Sequence, residues 1–307
     1  MLNTLTNRFT ISHQHKGTLL MLGTTLFFAL TAGISKWLGK DYPTLELVFF
    51  RNIIGVLFIW LSIRSRPIER KAGGKLGLLI FRGVVGTLSL YMFFYSIQVL
   101  GLGHAATYQY TYPIFLALLS WLFLGERLKI PEWLAIFIGF VGILFVFRPD
   151  LDVPAGEHIL GLGVAILTAV SYLSIRRLGQ YYDVRTIILS FMLSGILMPL
   201  LSMVIGESFP EIEDNFLVGH FILPHTTYHW LGFLALGITA YLGQKMLTQA
   251  FTYDKAGRIA AIGYSNILFS TILGILMGES LPSTAMVIGM LLIIFGGVLI
   301  ALTKSKS

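Results

Sequence analysis

Apolar runs recur ten times along the chain, at about 17–38, 44–63, 76–99, 104–124, 131–147, 160–178, 186–206, 229–251, 257–278 and 283–302. At 1.5 Å of rise per residue, a helix of that length crosses a hydrocarbon layer of about 30 Å, or nearly so. Several connections are only a few residues long, so consecutive helices must run antiparallel. Residues 148–159 (RPDLDVPAGEHI) form a polar break halfway along, and 207–228 is the one long loop.

Polar residues inside these runs fall in stripes. Thr87, Tyr91, Tyr95 and Gln98 recur at i, i+4, i+8 and i+11, which places them on one helix face. In the eighth span Tyr241, Lys245, Gln249 and Thr252 do the same. The fourth span opens with His104, Thr107, Tyr108, Thr111 and Tyr112, and the ninth carries Tyr264, Ser265 and Asn266. Hydroxyls and amides cost free energy in hydrocarbon, so they face other helices or a wet cavity. Interhelical hydrogen bonding accounts for any single one of them; matched stripes in two halves favour a central cavity.

Lys245, sixteen residues into its span, either lines a pathway or snorkels to the interface. Lys36, Glu46 and Arg51 are expected to form a structural or gating ion pair. Arg82, near a span end, is expected to snorkel. Glu126 and Glu279 read as helix-end caps, and Pro113 as a kink just after the tyrosines. His220, His225 and His229 share the long loop, where exposed histidines seldom hold a metal, so no metal site is expected.

The spans repeat. A shift of 140 places Gly23, Ala29, Leu38, Gly39, Tyr42 and Gly55 on Gly163, Ala169, Leu178, Gly179, Tyr182 and Gly195. The third, fourth and fifth spans fall on the eighth, ninth and tenth at shifts of 154, 153 and 154. Five is odd, so the copies enter the membrane from opposite sides, as in many carriers whose site lies at mid-membrane between inverted halves. The expected organisation is a tail at 1–16, one repeat at 17–149, an external connection at 150–159, a second repeat at 160–302 and a tail at 303–307.

Composition agrees. Of 307 residues 55% are hydrophobic and only 12% charged, about half the charge of a soluble domain. The net charge of +7 reflects loop placement. With the N-terminus in the cytoplasm, sixteen Lys and Arg fall inside, against Lys40 and Arg148 outside. Insertion thus explains the basic balance without nucleic acid, and both termini are expected on the cytoplasmic side of the inner membrane. There is no cysteine, so no disulfide or thiolate site. No phosphate loop, paired metal-ligand histidines or nucleophile elbow occurs. The sequence leaves a homodimer open.

Residues 125–128 read Gly-Glu-Arg-Leu and 278–281 Gly-Glu-Ser-Leu, each followed by a glycine-bearing span, and Pro43 through Arg51 opens the second span. In these features, from about 17 to 302, the chain resembles the EamA family of the drug/metabolite transporter superfamily. The resemblance implies an all-α integral membrane fold of ten transmembrane helices, arranged as two inverted five-helix EamA-like repeats. It also implies alternating-access transport of small organic solutes such as amino acids, nucleosides, vitamins or S-adenosylmethionine. The tyrosines of span four and the charge of Lys245 depart from the family's usual apolar helices.

A secondary carrier of a small metabolite is therefore expected, with no catalytic residue and no cofactor. Tyr91, Tyr95, Tyr108, Tyr112, Tyr241 and Tyr264 would offer rings and hydroxyls. Gln98, Thr111, Gln249 and Asn266 would orient polar groups, and Lys245 would attract an anion or stack on a ring. An integral-membrane enzyme acting on lipid-linked groups would require convergent acid–base side chains, whereas the carboxylates here are scattered. A passive channel would require a continuous polar pore.

Overall fold

The computed structural model describes residues 13–69, 71–147, 155–209, 217–276 and 281–303, with the side chains of 13, 14, 94, 97–107, 147, 155–158 and 301 left aside. Residues 1–12 and 304–307 of the tails, 150–154 of the connection, Glu279 and the Gln98 side chain lie outside what is described. Among the described residues the chain is helical, without strands. Its helices are α1 (His13–Leu38), α2 (Thr44–Ser65), α3 (Leu76–Gln109), α4 (Tyr112–Leu124), α5 (Ile130–Phe147) and α6 (Ala155–Leu178). They continue with α7 (Val184–Ser208), α8 (Thr227–Tyr253), α9 (Ala256–Ile262), α10 (Ser265–Leu276) and α11 (Thr284–Leu302). Six of the described segments are long and apolar enough to cross a membrane: His15–Leu38, Thr44–Ser65, Leu76–Phe93, Ile159–Leu178, Val184–Ser208 and Ala256–Leu276.

Two boundaries differ from the sequence pattern. The third apolar run and the first residues of the fourth form one helical segment, α3, of 34 residues. It is not straight. Ser89 and Gln109 both hydrogen-bond Thr168, yet a straight helix would hold residues twenty apart roughly 30 Å from each other. The segment doubles back between them. The second difference is a break inside the fourth and ninth runs, at Tyr110–Thr111 and again at Gly263–Tyr264. Pro113 follows the first break in the opening turn of α4, where its missing N–H costs nothing. Gly125, at φ 67°, ends α4 in the left-handed region that glycine enters without strain.

Helices pack in antiparallel pairs: α1 on α8, α3 on α6, α2 on α7 and α5 on α11, with α4 against α6 and α10 against α1. Lipid is as apolar as leucine, so close backbone approach, not hydrophobic burial, drives such pairing. The glycines show where. A Cβ on Gly142 would lie 2.6 Å from the Gly289 carbonyl oxygen, and one on Gly289 2.5 Å from that of Gly142. Gly55 receives Met192, Gly195 receives Asn52, Gly23 receives Met246 and Gly163 receives Met92. Leu122, Phe123, Phe137 and Leu201 are more than half exposed on the outer faces of their helices, the surface a bilayer would cover.

Candidate functional site

The broken helices bring together a group of phenols and amides. Tyr110 sits in the first break, and its hydroxyl donates a short hydrogen bond to Asn266 Oδ1, at the start of α10. Asn266 Nδ2 donates to the Thr25 carbonyl at 2.8 Å, and the Thr25 and Ser265 hydroxyls are 2.9 Å apart. The two breaks and the middle of α1 are thereby tied together. Tyr112 donates to the Ala260 carbonyl at 3.3 Å and meets Tyr172 edge to face at 5.2 Å. The phenols of Tyr110, Tyr172 and Tyr264 all lie within electrostatic reach of Tyr112. Tyr264 is buried against Gly139, and its hydroxyl has no partner among the described residues.

Tyr172, on α6, joins this group to a second one. It is within electrostatic reach of the guanidinium groups of both Arg51 and Arg82. Arg82 is only 2% exposed. The expectation that it snorkels is therefore corrected: its guanidinium lies over the Phe191 ring at 4.6 Å, turned into the bundle. Gly86, one turn further on, makes the room; a Cβ there would sit 2.1 Å from Arg82 Nη1 and 3.0 Å from both Phe191 and Ser171 Oγ. Sequence reasoning missed Tyr172, Ser171 and this role of Arg82. An arginine followed by glycine at i+4 was the available signal.

The other expected site residues are spread along these surfaces. Tyr91 is 1% exposed and packs with Leu45, Val48 and Met198. Tyr241 is buried beside Phe191 and Met192 and stacks on Phe58 at 5.6 Å. Tyr108 lies against Gly161, and Thr111 donates to the Tyr108 carbonyl at 2.7 Å. Tyr95, Lys245 and Gln249 are half-buried on α3 and α8. Of the residues expected to gate, Glu46 is fully buried and accepts from the Ile222 N–H at 3.1 Å, and the described ion pairs include none between Glu46 and Arg51. Lys36 is exposed at the end of α1. His229 engages Tyr42 at 2.8 Å and Asp41 at 3.6 Å.

At the end of the bundle where the α4–α5 and α8–α9 turns meet, buried charges are paired inside protein. Arg258 and Glu132, both 0% exposed, form an ion pair at 2.9 Å, and Arg258 Nε donates to Asp254 at 3.0 Å. Arg258 Nη1 also donates to the Thr303 carbonyl at 2.6 Å, which ties in the end of α11. Beside it Glu126 accepts from Arg176 Nε at 2.7 Å and from the Ala256 N–H at 2.9 Å. As expected, Glu126 serves as a cap, here on α9.

Comparison with known proteins fits this architecture. Residues 15–148 match the EamA-like transporter family. An uncharacterized transporter of Helicobacter pylori (strain J99) is 31% identical over 93% of this chain and 94% of its own. The pseudopaline exporter CntI of Pseudomonas aeruginosa is 28% identical over 94% of this chain and 96% of its own. Mouse solute carrier family 35 member G1 is 25% identical over 86% and 72%. A solved crystal structure that is 18% identical shares the fold, with a TM-score of 0.75 over 92% of this chain and 95% of that one. With near-complete coverage by transporters and a bundle of membrane-length helices, the chain is a multi-pass membrane protein of the EamA-like transporter family, in the drug/metabolite transporter superfamily.

Proposed function

We propose that this protein is a secondary active carrier that moves a small organic metabolite across the cytoplasmic membrane by alternating access, with both termini in the cytoplasm. The observation that carries the reading is the way helix contacts recur under the sequence repeat. Adding 140 to Gly23 and subtracting 154 from Met246 turns the Gly23–Met246 contact into Gly163–Met92, which the bundle also contains. Gly55–Met192 becomes Gly195–Asn52, and Gly142–Gly289 becomes Gly296–Ala135. The two helix breaks also lie 153 residues apart, at the shift that relates the fourth and ninth spans. Such exchange of equivalent contacts supports two inverted five-helix halves related by a pseudo-two-fold axis, the geometry in which one half rocks against the other.

In this reading the phenols and amides around the breaks, with Tyr172, form the mid-membrane surface that meets the solute. Interrupted helices there leave backbone groups free to bind it. Tyr91, Tyr95 and Tyr241 line the approach, and Lys245 with Gln249 contributes from α8. The buried Arg258–Glu132–Asp254 contacts and the part-buried Arg176–Glu126 pair hold the cytoplasmic end closed. The similarity to a pseudopaline exporter is consistent with outward movement of a metabolite.

The test is exchange in proteoliposomes. A carrier loaded inside with its solute takes up labelled solute faster (trans-stimulation) and saturates, whereas flux linear in concentration and indifferent to internal solute would refute the reading. Lys245→Ala should cut the maximal rate with insertion intact; unchanged flux would remove Lys245 from the mechanism.

A further inference from the structure

We propose that Arg51 and Arg82 form a binding site for the oxyanion of a small solute, a carboxylate or phosphate, at the centre of the bundle. The proposal rests on the carrier reading and names the chemical class of its cargo. Arg82 reaches α7, and both guanidinium groups lie within electrostatic reach of the Tyr172 phenol on α6. Arg82 covers Phe191; next to Arg51, Asn52 donates its Nδ2 to the Gly195 carbonyl at 3.2 Å, and Gly55 one turn on receives Met192. Residues 191–195 lie seven to eleven positions into a 25-residue helix, roughly 10–17 Å from its start and so well inside the hydrocarbon depth.

On and beside these two arginines, buried polar atoms are left without protein partners. They are Arg51 Nε, Asn52 Oδ1, Arg82 Nε and Nη1, and Ser171 Oγ, five of the nine such atoms among the described residues. Folded proteins pair nearly all buried polar groups, so a cluster of orphans marks a place built for something else to bind. The charges point the same way. Ion pairing among the described residues employs Glu126, Glu132, Asp183, Asp254 and Asp41, and Glu46 is held by the Ile222 N–H. None of these carboxylates pairs with Arg51 or Arg82. Two guanidinium groups at this depth without a carboxylate counter-charge are expensive in a low-dielectric bundle. An entering oxyanion would neutralise them through charge-assisted hydrogen bonds, for which guanidinium is the most suitable side chain. Phe191 holds one face of Arg82, leaving its edge to the ligand.

The test measures ligand-induced stabilisation of the purified protein, since a ligand specific for the folded state raises its melting temperature by mass action. Succinate, tricarballylate, glutamate and glycerol 3-phosphate are compared with succinamide, tricarballylamide, glutamine and glycerol; phosphatidylglycerol is added in a separate arm. At least one soluble anion should stabilise where its neutral counterpart does not. Arg82→Gln and Arg51→Gln should each weaken that anion by about 30-fold or more, the scale for losing one member of a buried charge pair. Gly86→Ala keeps both charges but displaces the Arg82 guanidinium, so it should weaken the anion as well, which separates the site from any loss of folding in the arginine variants. Equal stabilisation by neutral partners, silence of all four soluble anions, unchanged affinity in Arg82→Gln, or a response to phosphatidylglycerol alone would each overturn the proposal. If anions bind as expected but show no trans-stimulated exchange, the carrier reading fails while the site stands. Exchange of neutral solutes alone would instead keep the carrier and remove the oxyanion site.

Discussion

Replacing Glu132 with alanine is the most direct probe of how this end of the bundle is held together. Glu132 and Arg258 have no exposed side-chain surface, and 2.9 Å separates their charged atoms. Removing one member of such a buried pair typically costs about 3–5 kcal/mol, because the remaining charge keeps its desolvation penalty. Asp254 still meets Arg258 Nε at 3.0 Å, which argues for the lower end, about 3 kcal/mol. Glu132 Oε2 also accepts the Lys129 N–H at 2.6 Å, capping the start of α5, and losing a cap adds about 1 kcal/mol. The sum is about 4 kcal/mol, or roughly 6 °C in apparent melting temperature for a chain of this size. Fluorescence-detected size-exclusion melting in mild detergent reads this directly. Glu132→Gln, which keeps an acceptor, should lose clearly less. A double-mutant cycle with Arg258→Met isolates the pair, with an expected coupling of about 2 kcal/mol or more. A melting temperature within about a degree or two of the parent for Glu132→Ala, or a coupling near zero, would refute the reasoning.

Three further outcomes are expected. Asp183 caps α7 and binds Arg185 through both carboxylate oxygens, at 3.1 and 2.9 Å, while its Oδ2 also accepts the Glu69 N–H. Burial pushes its carboxyl up, but the Arg185 and backbone hydrogen bonds outweigh that and hold it below the ordinary aspartate value of 3.8. Its contribution is therefore fully present above about pH 4 and is lost as the pH falls through the lowered value. Asp183→Asn should flatten that acid limb of a stability–pH profile, and an unchanged limb would count against the assignment. Gly142→Leu should block the α5–α11 contact, where even a Cβ meets the Gly289 carbonyl oxygen at 2.6 Å, and lower the yield of folded protein sharply. Gly297→Leu, on α11 where an added Cβ meets nothing within 4 Å, should do so far less if the backbone approach is the cause. Asn266→Leu removes the link between Thr25 and Tyr110 and should lower stability by about 1–2 kcal/mol, measured by the same melting assay.

Much of this arrangement is legible in the sequence. Long apolar runs with short connections determine a helical membrane bundle, and glycines at matched offsets mark the places where helices meet. Periodicity also puts Thr87 and Tyr91 on a face away from lipid, and both are buried. What periodicity cannot see is which neighbour covers a face. Arg82 lies near the end of an apolar run, which suggests snorkelling; the space beside Gly86 and the ring of Phe191, supplied by a helix about a hundred residues away, turn it inward. Glu46 has the depth of a counter-charge for Arg51, but the loop before α8 reaches it first with a backbone N–H. The break at Gly263–Tyr264 is hidden because the run around it is largely apolar; only its partner, with Pro113 nearby, carries a local mark.

Arg51 and Arg82 have no charged twins. The offsets that align one half with the other place Phe191 at the position of Arg51 and Leu236 at that of Arg82. If the two halves are copies of one scaffold, as proposed, it is wired only once, and the mould and its electrical lining are separable. Transplanting a guanidinium into the second half, as Leu236→Arg, would ask whether cargo preference travels with that one side chain while the framework around it stays put.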